Sequence, residues 1–135
     1  MLFDPIALPV ESFDPVEIDA PPSRADLIDA QQAAIRLFRM RRRRDALLGA
    51  EQFGEPAWDM LLDLFTSECR GQQITVSSSC AASAVPVTTA LRHLASLERE
   101  GLILSHPDPH DRRRRYLTLT EETRRLMIAL LARGM

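Results

Sequence analysis

The sequence predicts a mainly α fold with one small β-hairpin, and three observations predict it. From Ser23 to Leu48 there is no proline or glycine, and apolar residues recur at helical spacing. Between Val76 and Glu100 a short helical stretch, a brief turn and a helix of about four turns follow one another. Beyond Gly101 two short alternating stretches flank a polar loop.

Size and composition set the bounds. The chain has 135 residues, 45% of them hydrophobic, which suits one domain with an appendage. No stretch approaches the roughly 18 apolar residues of a membrane span. The opening MLFDPIALPV lacks the basic start and apolar core of a signal peptide, so a cytoplasmic protein without a membrane partner is expected. Cys69 and Cys80 match no disulfide framework and no zinc spacing, and read as ordinary thiols.

Charge is informative by its distribution. The net charge is −2, yet all 17 basic residues are arginines. Arginine offers a planar fork that suits phosphate and guanine. Residues 1–30 carry seven acids against one base, Arg24. Residues 36–44 carry six arginines and no acid, and residues 84–120 carry six arginines against four acids. An acidic N-terminal segment therefore masks two basic patches.

Residues 1–22 read as an acidic, proline-rich tail, of which residues 1–20 are expected to be dispensable for folding and to compete with phosphate for basic surface. Residues 23–49 read as a long amphipathic helix and dimerisation element. Ser23 with Asp26 fits its N-cap, and Gly49 can end it. Its stripe is Leu27, Ala34, Phe38 and Leu48, widened by Ile28, Ile35 and Leu37. A second helix spans about Pro56 to Glu68, with Trp58, Leu61, Leu62 and Phe65 as its apolar face. Asp59, Asp63 and Glu68 read as its polar face. A third runs from about Val76 to Ala82 after Thr75 as cap. A fourth begins near Pro86, with Val87, Ala90, Leu94 and Leu97 inward and Gly101 as the left-handed residue after its end. Strands are expected at Leu102–His106 and Arg115–Leu119 around the loop PDPHDRRR, and Thr120 can cap a last helix within residues 121–135.

Short helix, turn, longer helix and hairpin make a winged helix-turn-helix over residues 50–120, whose longer helix can enter a DNA major groove. The stretch ITVSSSCAASAVPVTTALRHLASLEREGLILSHPDPHDRRRRYLTLT, from Ile74 to Thr120, resembles the MarR family of winged-helix repressors. The combination LEREGLI, DPHDRR and LTLT carries most of the likeness. The resemblance implies that the helix VPVTTALRHLASLE is the recognition helix and the segment DPHDRR the wing. It also implies that Asp111 braces the wing and that Arg113 enters the minor groove. Ser79 and Ser83 stand where the family has leucines, and Ala84 where it has a turn glycine. Only 15 residues follow Thr120, whereas family members often continue through two helices that build a dimer interface. Dimerisation is therefore expected to use the first helix, the N-terminal segment or another surface. The resemblance further implies a small-molecule effector pocket between the dimer and DNA-binding parts, though no residue marks one.

These considerations give a set of expected DNA contacts: Thr88, Thr89, Arg92, His93 and Ser96 on the recognition helix, and Arg112, Arg113 and Arg114 on the wing, supported by Asp111. Because alternate strand residues face opposite ways, the wing arginines are not all expected to point outward, and Arg115 can brace the strand instead. Each of these residues also has a plainer reading as a solvated helix face or charged loop. Arg41, Arg42, Arg43 and Arg44 fit a phosphate-contacting patch, a site for the acidic tail, or simple solvation. Overall the sequence reads as a sequence-specific regulator binding double-stranded DNA as a homodimer, a repressor by resemblance. The competing reading is a winged-helix module that binds a regulatory protein. No phosphate loop, nucleophile elbow or paired carboxylates point to an enzyme, and no cofactor is expected. His106, Asp108, His110 and Asp111 lie close in sequence but lack the apolar shell of a metal site.

Overall fold

The computed structural model describes residues 21–48 and 55–133. The tail up to residue 20 and the expected cap at Gly49 lie outside the described residues. Helix α1 (Arg24–Leu48) is followed by α2 (Pro56–Cys69), a two-residue strand β1 (Ile74–Thr75), α3 (Val76–Ala82) and α4 (Val87–Arg99). The hairpin β2 (Ile103–Asp108) and β3 (Asp111–Leu119) leads to α5 (Glu121–Arg133). This is a mainly helical fold with a small antiparallel sheet, a winged helix-turn-helix.

The helix ends form where short-range chemistry dictates. At the start of α1 a reciprocal box closes: the Asp26 N–H donates to Ser23 Oγ and the Ser23 N–H to Asp26 Oδ2, both at 3.0 Å. Thr75 Oγ1 accepts from the Ser78 N–H at 3.1 Å, and Thr120 Oγ1 from the Thr123 N–H at 3.2 Å. After α4, Gly101 adopts φ +78°. The Leu102 N–H then reaches the Leu97 carbonyl at 2.9 Å and the Gly101 N–H that of Glu98 at 3.0 Å, satisfying carbonyls the helix leaves open. The chain thus turns from α4 directly into β2.

The core lies between α1, α2, α4, α5 and the inner face of the sheet. Met60, Leu62, Leu64 and Phe65 of α2 are fully buried, with Leu94 and Leu97 of α4, Ile103, Leu117 and Leu119 of the sheet, and Met127, Ile128 and Leu131 of α5. The contribution of α1 differs from the expected stripe. Its buried residues there are Ala30, Ala33 and Ala34, small enough for neighbouring helices to approach closely, whereas Leu27 and Leu48 are exposed. On α4, Val87 is likewise 61% exposed and does not join the inward face.

The hairpin is longer than expected. Much of the polar loop is strand, and only Pro109 and His110 turn the chain. The sheet order is β1-β3-β2, so β2 is an edge strand, where Pro107 costs no ladder bond. The strand β1, absent from the sequence reading, pairs Ile74 with Leu117 and Thr75 with Tyr116. Glu68 anchors the far end of β3: its carboxylate accepts from the Leu119 N–H at 2.9 Å and from Arg124 Nε at 2.9 Å. Glu68 therefore belongs to a junction of α2, β3 and α5 and not to a solvated helix face.

Candidate nucleic-acid interface

Helix α4 buries Ala90, Leu94 and Leu97 on one side and leaves the opposite side to solvent. Thr88, Arg92, Ala95 and Arg99 follow at spacings of four, three and four residues, and all are exposed. Thr89, His93 and Ser96 are half-buried along one flank. Arg99 extends the stripe to the last turn and was missed by sequence reasoning. The regular spacing from Thr88 was the signal that could have found it. Before α4, the turn places Ala84 at φ +61°, where the left-handed geometry suits glycine better.

On the wing, the strand register jumps. Pro107 pairs with Arg115, but Asp108 pairs with Asp111, so Arg112, Arg113 and Arg114 have no residue opposite them on β2. Such a bulge breaks the alternation of side chains. All three arginines are exposed. Arg115 braces the hairpin, donating from Nε to Ser105 Oγ at 2.6 Å and from Nη2 to the Ser105 carbonyl at 3.3 Å. Asp111 Oδ1 accepts the Arg113 backbone N–H at 3.0 Å and lies 3.6 Å from Arg113 Nε. The Arg113 side chain is still 92% exposed. Arg114 lies over the Tyr116 ring.

A second aspartate shapes the wing tip. Buried Asp108 accepts from the His110 N–H at 2.8 Å and from the Tyr116 hydroxyl at 3.2 Å. The His110 N–H holds its carboxyl below the ordinary range, with Tyr116 and the charges of Arg114 and His110 adding to it against the cost of burial. His106 Nε2 is 2.9 Å from Thr118 Oγ1. Among the described residues no group of three histidines, cysteines or carboxylates is arranged to hold a metal ion.

The arginine run of α1 divides. Arg41 is buried against α2: its Nε binds Asp59 Oδ1, and its Nη1 lies 3.1 Å from Glu55 Oε1. Burial disfavours its charge, but the Asp59 hydrogen bond and the charges of Asp59, Glu55 and Asp45 outweigh this and raise its pKa. Arg42 binds the other Asp59 oxygen and Asp45, stacks over Phe38, and reaches the Ala82 carbonyl at the end of α3 at 3.4 Å. Asp59 is fully buried, not part of a polar face. Arg41 and Arg42 thus join α1, α2 and α3 and are not free for phosphate. Arg43 is exposed, and the Arg44 side chain lies outside the described residues. Burial pushes both thiols up, at Cys69 with help from Glu68, which disfavours the reactive thiolate.

No protein-family model matches the chain, and no curated protein sequence matches it. Solved structures do resemble it. S. aureus MepR, in a structure described as its DNA-binding conformation, is 24% identical and superposes with a TM-score of 0.50 over 66% of this chain. The chain spans 64% of the length of MepR. The transcriptional regulator PA4135 is 22% identical, with a TM-score of 0.50 over 82% of this chain and 74% of its own. With its helix order, three-stranded sheet and wing, the chain has the MarR-like winged helix-turn-helix fold.

Proposed function

We propose that this chain is a transcriptional regulator that binds double-stranded DNA sequence-specifically, as a homodimeric repressor. The observation that carries the reading is the wing tip, where three arginines without cross-strand partners extend into solvent after a helix whose outer face carries Thr88, Arg92 and Arg99. Helix α4 enters the major groove. The Arg92 guanidinium can give guanine O6 and N7 two parallel hydrogen bonds, and Thr88 lies one turn nearer the helix start. Thr89, His93 and Ser96 line the flank of the same groove. Arg113, oriented by Asp111, inserts into the minor groove beside it, while Arg112 and Arg114 meet phosphates. Because Arg41 and Arg42 are engaged internally, of the described arginines in that run only Arg43 remains for a phosphate contact.

Pairing of two copies follows from the residual apolar surface. Leu27 and Ile28 of α1 and Leu126 and Leu130 of α5 are exposed, on two helices that pack against each other. A second copy covering them would place two recognition helices on one face of a duplex. No helix among the described residues is long and apolar enough to cross a membrane. Selection from random duplexes tests the proposal. Enrichment of a pseudo-palindrome with half-sites about one helical turn apart is expected. Recovery of no preferred sequence would favour the protein-partner alternative.

A further inference from the structure

Two large apolar side chains of α4 join no core. Val87 is 61% and Leu91 44% exposed, and neither belongs to the buried cluster or to the residues packed against it. They stand one helical turn apart, about 6 Å along the axis. At about 100° per residue they form a ridge beside Thr88 and Arg92, on the flank opposite Thr89, His93 and Ser96. Ala95, next along this ridge, is exposed and carries only a methyl, so it does not hold the ridge away from a surface. Glu98 is the charge on this flank, and it lies about 10 Å beyond Leu91 along the axis. A docked recognition helix meets base edges with its N-terminal residues, so Glu98 stays clear of the bases.

We propose that Val87 and Leu91 read thymine methyl groups in the major groove, so that each half-site carries thymine beside the base pair met by Arg92. The inference rests on the DNA-binding reading and adds a base identity to it. The thymine C5-methyl is the apolar group that base edges offer in this groove. Set against the edge of guanine, adenine or cytosine, the ridge would strip water from hydrogen-bonding groups and give no bond in return. Set against thymine, it covers apolar surface on both partners. Continuity makes DNA the occupant of the ridge: Val87 and Leu91 share the first turns of α4 with Thr88 and Arg92, so a groove that receives those two receives the ridge as well.

The test uses the full chain and the duplex enriched from random sequence, followed by fluorescence anisotropy. Each thymine of a half-site is replaced in turn by deoxyuridine, which deletes the methyl and keeps every hydrogen-bonding group. At one or two positions the replacement should weaken binding about fourfold, the worth of one buried carbon. Leu91→Ala should bind the thymine duplex more weakly and should no longer distinguish uracil from thymine at one of those positions. Val87→Ala should do the same at the other. Loss of discrimination at a single position is a readout that damage to the fold would not give. Uracil tolerated at every position of a duplex that still outcompetes a scrambled one would overturn the inference and leave the DNA-binding reading standing. So would a uracil penalty that persists unchanged in both alanine variants. If no duplex is preferred over a scrambled one, the DNA-binding reading itself falls and this inference falls with it.

Discussion

Asp59 offers the sharpest perturbation of the fold. It is fully buried and binds Arg41 through one carboxylate oxygen and Arg42 through the other. Asp59→Ala leaves Arg41, itself 5% exposed, with Glu55 as its remaining ion-pair partner among the described residues. Breaking a buried pair from one side costs about 3–5 kcal/mol, because the remaining charge stays desolvated. Arg42 adds little to this, since its side chain is 28% exposed and keeps Asp45. A loss of about 3 kcal/mol is a large fraction of the 5–15 kcal/mol typical of domains and should lower Tm by at least roughly 10 °C. The double variant Arg41→Met, Asp59→Leu removes both charges and keeps the volume, so it should recover most of that loss. Urea and thermal unfolding followed by circular dichroism give both numbers. A loss below about 1 kcal/mol for Asp59→Ala, or a double variant as unstable as the single one, would refute the buried-pair account.

Further consequences concern single groups. The Ser79 hydroxyl is buried on α3 with no hydrogen-bond partner among the described residues, so Ser79→Ala should stabilise by about 1 kcal/mol in urea unfolding, where a marked loss would reveal a bond. Ala84→Gly relieves a left-handed residue worth about 1–2 kcal/mol while adding about 0.4–1 kcal/mol of unfolded-state entropy, for a net gain between about 0 and 1.6 kcal/mol in urea unfolding. Asp63 has a pKa raised by burial, so the unfolded chain ionises it first. Its destabilising effect is absent below the unfolded value near 3.8 and grows as pH rises to the folded value. Asp63→Asn should therefore gain stability over the parent between pH 3.5 and 7, and parallel curves for the two proteins would contradict this.

The parts of the fold legible in the sequence are those governed by neighbours in the chain. The caps at Ser23, Thr75 and Thr120 and the turn at Gly101 each depend on residues within a few positions. The sequence understates the wing because Pro107 and Asp108 look like strand breakers, although an edge strand tolerates proline and Asp108 turns inward to Tyr116. The direction of Arg41 was illegible for another reason. A run of arginines resembles a solvated face until Asp59, 18 residues away, is brought against it. The same holds for the exposed wing arginines, since the bulge that frees them leaves no composition signal. Exposure of Val87 and Leu48 shows the limit of periodicity, which gives a face but not where it stops meeting a partner.

The central claim, that the wing is a DNA contact aligned by Asp111, is tested by fluorescence anisotropy of three variants on a selected and a scrambled duplex at several salt concentrations. Arg92→Ala should lose affinity mainly on the selected site, by about 1–3 kcal/mol. Arg113→Ala should weaken both duplexes and lower the salt slope by about one. Asp111→Ala decides the matter, because it removes a negative charge and simple electrostatics expects tighter binding. Since Asp111 Oδ1 holds the Arg113 N–H at 3.0 Å and faces its guanidinium, the account predicts weaker binding on both duplexes. Tighter binding by Asp111→Ala, with Arg113→Ala indistinguishable from the parent, would contradict it.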